Sequence, residues 1–317
     1  LWDAQLAPRA GEHVFSGGIY RDVYLTITDP LHVAWNGTFV TTPVLTEEKA
    51  TVNVETSIEN KGSSAANFKI KTVIVDANNK QMAEMISDES IAAGATKTVN
   101  HLSGEINNPA LWSPDAPNLY QARTYIYEND LLVDHFESTF GFRWTEWTAD
   151  KGFFLNGKHL YIEGVNVHQD HAGWGDAITK AGVYRDLKLM KDAGFNTIRG
   201  SHYPHHPYFT EVCDELGLMF LPENCVWGIG GFVDDGYWNS STYPIHEEDM
   251  EAYNKSAAKT LEDLILINRN SPSVIAWSMS NEPFFSANEV MEPMKKLLSE
   301  LVELSHKLDP SRSAMIG

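Results

Sequence analysis

Val274-Ile275-Ala276-Trp277-Ser278-Met279, running into Ser280-Asn281-Glu282-Pro283, is a short apolar strand that ends in a carboxamide and a carboxylate. Around it the same grammar repeats: short apolar runs alternate with longer helical patterns, the order expected of βα units and a parallel sheet. Tyr161 to Val167 reads as the first strand, Phe195 to Arg199 as the second and Leu218 to Leu221 as the third. Between them, Val183, Leu187 and Met190 mark one helix and Phe209 to Leu216 a shorter one. Ala257, Leu261, Leu264 and Ile265 share one face of a long helix before Val274, and Met294, Leu298, Leu301 and Val302 share a face after it. Ser313 to Ile316 begins a fifth strand. A complete (β/α)8 barrel needs roughly 250 residues and eight strands. Residues 143–317 hold four βα units and the start of a fifth, and half a barrel would leave open parallel edges. The expected architecture is therefore the first half of a TIM barrel, with four strands following C-terminally. A mixed sheet that stops at strand five is the competing arrangement.

Upstream, the pattern is period two. Thr51-Val52-Asn53-Val54-Glu55-Thr56 and Phe68-Lys69-Ile70-Lys71-Thr72-Val73 alternate polar with apolar residues. Turn-rich breaks fall at Asn60 to Ser64, Asp76 to Asn79 and Ala92 to Ala95. Several short strands at this spacing predict an immunoglobulin-like β-sandwich over residues 43–142. It contains no cysteine, so it is not an antibody-type domain. Residues 1–42 carry strand-like runs such as Asp22 to Thr28 among Gly and Pro, and are expected to be the tail of a further β domain.

Composition narrows the function classes. With 24 basic and 43 acidic residues the net charge is −19, which repels phosphate backbones and anionic lipid, so neither nucleic acid nor a membrane is expected as partner. No apolar run approaches the roughly 18 residues that span a bilayer. Leu1-Trp2-Asp3 shows neither the basic nor the apolar segment of a signal peptide. A secreted or periplasmic location stays compatible, and the state of assembly, homo-oligomer included, stays open. Cys213 and Cys225 sit in no redox or metal spacing and read as small buried hydrophobes.

In such a barrel chemistry sits at the C-terminal ends of the strands. Those ends read Asn166-Val167-His168-Gln169-Asp170, then Arg199-Gly200-Ser201-His202-Tyr203-Pro204, then Glu223-Asn224 with Trp227 close behind, then Asn281-Glu282. Four consecutive ends thus deliver imidazole, guanidinium, carboxylate and carboxamide groups to one rim. Each alone has a bland reading: a core histidine, a structural ion pair, a solvated glutamate. Their coincidence at one rim points to a site. A Schiff-base aldolase would want a strand-end lysine, and none of the four ends has one. His202, His205 and His206 cluster, yet Pro204 and Pro207 break any helical face that would align them on a metal. Gly228 to Gly231 lacks the phosphate-loop lysine and reads as a flexible loop at the rim.

These residues together resemble glycoside hydrolase family 2, the family of β-galactosidases, β-glucuronidases and β-mannosidases. Phe15 to Val23 resembles the end of that family's N-terminal jelly-roll domain. Leu111-Trp112-Ser113-Pro114, Asn118-Leu119-Tyr120 and Phe140-Gly141-Phe142-Arg143 resemble its sandwich domain. Phe154 to Lys158, Gly164-Val165-Asn166, Ser201 to Pro204, Arg269 to Val274 and Asn281-Glu282 resemble its barrel. The resemblance implies hydrolysis of a carbohydrate substrate by double displacement, with retention at the anomeric carbon. It implies Glu282 as acid/base and a nucleophilic glutamate at strand seven, outside this sequence. It assigns Asn281 to the sugar 2-hydroxyl, Arg199 to positioning the nucleophile, and His168 and His202 to ring hydroxyls. Asp170, Asn224 and Trp227 are further candidates for contact with substrate, Trp227 as an aromatic wall. Metal-dependent members carry an acidic ligand shortly after strand three, where this chain has Trp227, so no metal and no other cofactor is expected.

An exo-acting β-galactosidase is the leading expectation, and a β-glucuronidase the alternative, since Asp170 after His168 suits that branch too. From another class comes a sugar-binding protein that does no chemistry. A pure binder has no need of the proton donor Glu282, which argues against it.

Overall fold

Residues 50, 52, 54, 56, 58 and 60 of strand β2 (Lys49–Asn60) are all buried, and the residues between them are not. The alternation seen in the sequence is thus one face of a sheet turned to a core. The computed structural model describes residues 18–227, 231–232 and 240–317. In it β2 pairs antiparallel with β1 (Leu31–Leu45) and, on its other side, with β5 (Thr96–Leu102). A second antiparallel sheet holds β3 (Ala66–Asp76) between β4 (Gln81–Ile91) and β6 (Tyr120–Glu128), with β7 (Leu131–Phe140) at its edge. Val52, Val54, Ile74, Phe140 and Phe142 belong to one core cluster here, and Ile58, Ile70 and Ile126 to another. The expected sandwich is present, but its first strand begins at Leu31. Residues 31–42 therefore belong to the sandwich and not to a preceding domain. The earlier boundary followed the clean alternation, which β1 lacks because its register shifts between Val33 and Thr38 and again between Thr41 and Val44. Of the stretch Phe15 to Val23, residues 15–17 lie outside the described residues, as does the rest of the expected jelly-roll tail before them.

Contacts gather the chain into two units: Leu25–Ile162 with Leu266–Pro272, and Glu163–Ile265 with Ser273–Gly317 and the N-terminal residues up to Tyr24. Residues 145–159, expected to lead into the barrel, form a small antiparallel sheet of their own within the first unit.

The second unit is the parallel array. Strands β8 (Gly164–Val167), β9 (Thr197–Gly200) and β10 (Met219–Pro222) pair parallel and in chain order. Isolated parallel bridges from Phe220 to Val274 and from Glu223 to Ser278 continue the order to β11 (Ala276–Ser278), which pairs with β12 (Ser313–Met315). This is the consecutive strand order of a partial TIM barrel. Helices α1 (Lys180–Asp192), α2 (Pro207–Leu216), α3 (Glu247–Asn268) and α4 (Met291–Leu308) connect the strands. Each begins or ends where the side chains dictate. Thr179 caps α1 by accepting the Gly182 N–H, Pro207 opens α2, and Gly217, at φ 67°, closes α2 in the left-handed region. Acidic residues at 247–249 favour the start of α3 through the helix dipole. No helix among the described residues is long and apolar enough to cross a membrane.

The core of this unit joins Leu187, Ile198, Phe220, Leu261 and Trp277. Trp277 also fixes the end of β11, because its indole N–H donates to Asp309 Oδ2 at 3.0 Å. That buried carboxylate is paired with Arg312 at 2.7 Å, so the charge is compensated. Cys213 is buried and Cys225 partly so, and burial pushes both thiols up, as expected of inert packing residues.

His205 is the costly member of this core. Its ring stacks on Phe209 at 4.6 Å, and neither ring nitrogen has a hydrogen-bond partner among the described residues. Burial, helped by the charge of Arg21, pushes its pKa down to about 3. The folded state thus binds this proton less readily than the unfolded chain, whose histidines titrate near 6.5. The stability this neutral ring permits is complete above that value and falls as pH drops below it. We expect His205→Phe to cut the loss of stability between pH 7.5 and 5.0 by roughly 2 kcal/mol relative to wild type. Urea unfolding of the full-length protein and its variant at both pH values measures this. Parallel acid losses in the two proteins would refute the assignment.

Candidate functional site

Glu223 follows β10 directly, has no solvent exposure, and collects the groups at the strand ends. Its Oε2 accepts from Arg199 Nε at 2.9 Å, from Arg199 Nη2 at 2.6 Å and from the Ser278 hydroxyl at 2.7 Å. Its Oε1 meets His202 Nδ1 at 2.7 Å. Arg199 Nη2 reaches onward to Asn281 Oδ1 at 2.8 Å. Three strand ends, those of β9, β10 and β11, are therefore cross-linked by one carboxylate and one guanidinium. A buried carboxylate is tolerated when it is paired and its lone pairs are filled, and both conditions hold here.

Around this network lies an aromatic group. Trp227 stands 5.2 Å from the His202 ring, 6.1 Å from Tyr203 and 6.3 Å from His168. The His168 and His202 rings meet edge to face at 5.2 Å. The Tyr203 hydroxyl accepts the Gln169 backbone N–H at 3.2 Å and lies 3.1 Å from His168 Nδ1. Burial pushes the Tyr203 hydroxyl well up, so it stays a neutral donor and acceptor.

Glu282 differs from Glu223 in every respect. Its side chain is exposed, and its backbone is left-handed at φ 48°, ψ 49°. Hydrogen bonds hold that turn from both sides: Glu282 N–H donates to Gly317 O at 3.1 Å, and Glu282 O accepts Phe285 N–H at 3.1 Å. The preceding Asn281 is buried, and its N–H donates to Val226 O at 3.0 Å. The chain thus turns sharply after a buried carboxamide and puts a free carboxylate at the rim.

Of the residues expected at the site, Arg199, His202 and Asn281 are joined by hydrogen bonds through Glu223, and His168 and Trp227 pack beside them. Asp170 lies on the same strand-end segment as His168 and is half-buried. Asn224 is elsewhere. It has no exposure, its amide donates to Ala257 O of α3 at 3.1 Å, and its Oδ1 accepts the Cys225 N–H. A sugar cannot reach that side chain. Sequence reasoning named the wrong member of the pair Glu223-Asn224: successive residues leaving a strand face opposite ways, so only one of the two enters the mouth. The three clustered histidines also part company. His202 meets Glu223, His205 is in the core, and His206 accepts the Tyr208 N–H at the start of α2. Among the described residues no group of three or more His, Cys, Asp or Glu side chains is placed to hold a metal. Residues 228–230 of the expected glycine loop lie outside the described residues, while Gly231–Phe232 pairs with Ser240–Ser241.

Two family descriptions match the chain: "Glycosyl hydrolases family 2, TIM barrel domain" over residues 148–316, and "Glycosyl hydrolases family 2" over residues 31–143. The chain belongs to glycosyl hydrolase family 2. It is similar to a beta-galactosidase of Bacteroides ovatus, at 33% identity over 84% of this chain and 30% of that protein. It is also similar to a beta-glucuronidase of Bacteroides fragilis, at 30% identity over 97% of this chain and 43% of that protein. A solved structure of Bacteroides uniformis beta-glucuronidase 2, covalently bound to cyclophellitol-6-carboxylate aziridine, matches with a TM-score of 0.82 and 28% identity. The match covers 97% of this chain and 37% of that one. The chain spans well under half the length of these relatives.

The left-handed turn at Glu282 carries a test of its own. A residue with a Cβ at this φ is strained, and glycine is not. Glu282→Gly should therefore be more stable than Glu282→Ala by about 1 kcal/mol, although both lack the carboxylate. Denaturant unfolding of the two full-length variants decides it, and equal stability would contradict the backbone described here.

Proposed function

We propose that the protein to which this chain belongs is a retaining exo-β-glycosidase with Glu282 as its acid/base. The observation that carries this reading is the contrast between the two carboxylates at the rim. Glu223 is saturated with donors and closed to solvent, so it is unfit for proton transfer to a substrate. Glu282 is exposed at the end of β11, next to Asn281, where a leaving-group oxygen can reach it. In the first step a second carboxylate, from barrel strands beyond this chain, attacks the anomeric carbon. The bond to the leaving oxygen breaks, and Glu282 gives that oxygen its proton. In the second step Glu282 takes a proton from water, the water oxygen bonds to the anomeric carbon, and the ester to the nucleophile breaks. The covalently bound inhibitor in the Bacteroides uniformis relative fits a scheme with a covalent intermediate. Arg199 holds Asn281, the expected partner of the sugar 2-hydroxyl, while Trp227 and the two imidazoles offer a wall and hydrogen-bonding groups for the ring.

Glu282→Gln should lose about 10²–10⁴-fold in kcat/KM on glycosides with poor leaving groups, the usual worth of general acid help. On a dinitrophenyl glycoside, whose leaving group needs little protonation, the same variant should still release a burst of the phenol. Loss of equal size on both substrates removes Glu282 from the acid role, and full activity on both removes it from catalysis.

For the sugar, a terminal β-galactoside is the first reading and a β-glucuronide the second. Relatives of both names match at similar identity, and the chain's charge of −19 opposes the approach of an anionic sugar. The full-length protein should show a higher kcat/KM on nitrophenyl β-galactoside than on nitrophenyl β-glucuronide. The opposite ranking selects the second reading, and activity on neither overturns the proposed function.

A further inference from the structure

Two residues beyond Glu282 the chain begins to place large apolar side chains in solvent. Phe284 is 63% exposed and Phe285 60%, and their rings meet at 4.7 Å with 40° between the planes. One exposed apolar side chain is ordinary. Two adjoining aromatic rings beside a candidate catalytic group form a patch of the kind that marks a binding surface. The exposure is not that of a loose segment. Pro283 before the rings and Ser286 after them are buried, and Pro283–Phe285 form one turn of 3-10 helix. Phe285 N–H donates to Glu282 O and Ser286 N–H to Pro283 O, each at 3.1 Å, and Ala287 N–H donates to Ser241 Oγ at 3.0 Å. The backbone that carries the rings is thereby tied to the backbone that carries the Glu282 carboxylate.

The place of this turn says which part of a substrate it can meet. Asn281, His202 and Trp227, the groups proposed for the sugar ring, are buried or half-buried at the strand ends, whereas Glu282 and the two phenyl rings are exposed. A general acid has to touch the leaving-group oxygen. The surface on the solvent side of that acid therefore faces whatever is bonded to the oxygen. We infer that Phe284 and Phe285 form the leaving-group subsite, and that it takes an aromatic aglycone. This rests on the glycosidase reading and adds to it the chemical class of the leaving group. The side chains decide that class. Phenyl rings offer faces and edges for stacking, and no hydrogen-bonding group. A second sugar would need partners for its hydroxyls, and the two rings supply none.

The test compares benzyl and methyl β-glycosides of the preferred sugar. The two alcohols are of nearly equal acidity, so the substrates differ by a phenyl ring and not in leaving-group chemistry. The readout is the ratio of their kcat/KM values for the full-length protein, from which any inactive fraction of a preparation cancels. Wild type should favour the benzyl glycoside by about tenfold or more, the worth of a well-packed aromatic contact. In the double variant Phe284→Ala/Phe285→Ala the two substrates should come within about twofold of each other. Phe284→Leu and Phe285→Leu, which nearly keep the side-chain volume, supply the reading where the double variant does not fold. At least one of them should lose about threefold of the preference. A wild type without a benzyl preference overturns the inference. So does a preference that survives in every variant, which would mean that other parts of the protein cover the two rings. A disaccharide with the same terminal sugar is the third substrate. If the variants lose as much on it as on the benzyl glycoside, each measured against the methyl glycoside, the surface is a subsite for a second sugar and the inference falls. A wild type that hydrolyses none of the three refutes the proposed function instead, so the two failures are distinguishable.

Discussion

A carboxylate with no solvent exposure has to be paid for by its surroundings, and in this protein Glu223 organises a whole rim in doing so. Moving an ionised carboxylate out of water costs several kcal/mol even after relaxation, and only good geometry with further hydrogen bonds repays it. The repayment comes from the ends of two other strands: Arg199 and His202 at the end of β9, and Ser278 at the end of β11. Those segments cannot move independently without stranding the charge. The bridge from Glu223 to Ser278 joins the same two strand ends through the backbone. Rigidity at the rim is thus a consequence of electrostatics, and it holds the strand-end groups in place before any ligand arrives.

The parallel sheet makes this convergence available. Strands in register and in chain order bring their C-terminal ends to one level, and the crossovers return on the far side. Trp277 and the Asp309–Arg312 pair pin β11 from behind, so that the sharp turn at Glu282 is set by the layer beneath it. Asn281 is drawn inward by Arg199 and by Val226 O, and the following residue has to turn outward. The left-handed backbone of Glu282 is the cost of placing an exposed carboxylate immediately after a buried amide. Strain of this kind persists where the surroundings over-determine the conformation, and four hydrogen bonds on residues 281 and 282 do so here.

Much of this was legible in the sequence, and the failures have physical causes. The period-two runs located β2 and β3, and the alternation of apolar runs with helical patterns located all five parallel strands. Element ends were less clear: the strand expected from Tyr161 begins at Gly164, and the apolar Tyr161 ahead of it is exposed and outside the sheet. Residues 31–42 were misplaced because bulges in β1 break the alternation that period counting relies on. At the rim, the convergence of Arg199, His202 and Asn281 was legible because polar residues at the strand ends of such a sheet point to one level. Glu223 was passed over in favour of Asn224. A buried carboxylate and a buried carboxamide look alike in a sequence, and only the direction of each side chain separates the hub from a brace against α3.

The use of Arg199 follows from counting its protons. A guanidinium has five N–H groups. Nε gives one to Glu223, and Nη2 gives its two to Glu223 and Asn281. The two on Nη1 have no partner among the described residues, and the side chain keeps 20% of its exposure. Arg199 therefore satisfies the buried carboxylate and orients Asn281 with three donors, and the two on Nη1 stay open to a further acceptor. An incoming nucleophilic carboxylate is a chemical match for that remaining pair. In the proposed mechanism Glu223 acts on such a nucleophile indirectly: by neutralising most of the Arg199 charge, it leaves a guanidinium that orients a second carboxylate through hydrogen bonds more than through bare attraction. A nucleophile held that way is positioned without being over-stabilised, which is what an attacking group requires.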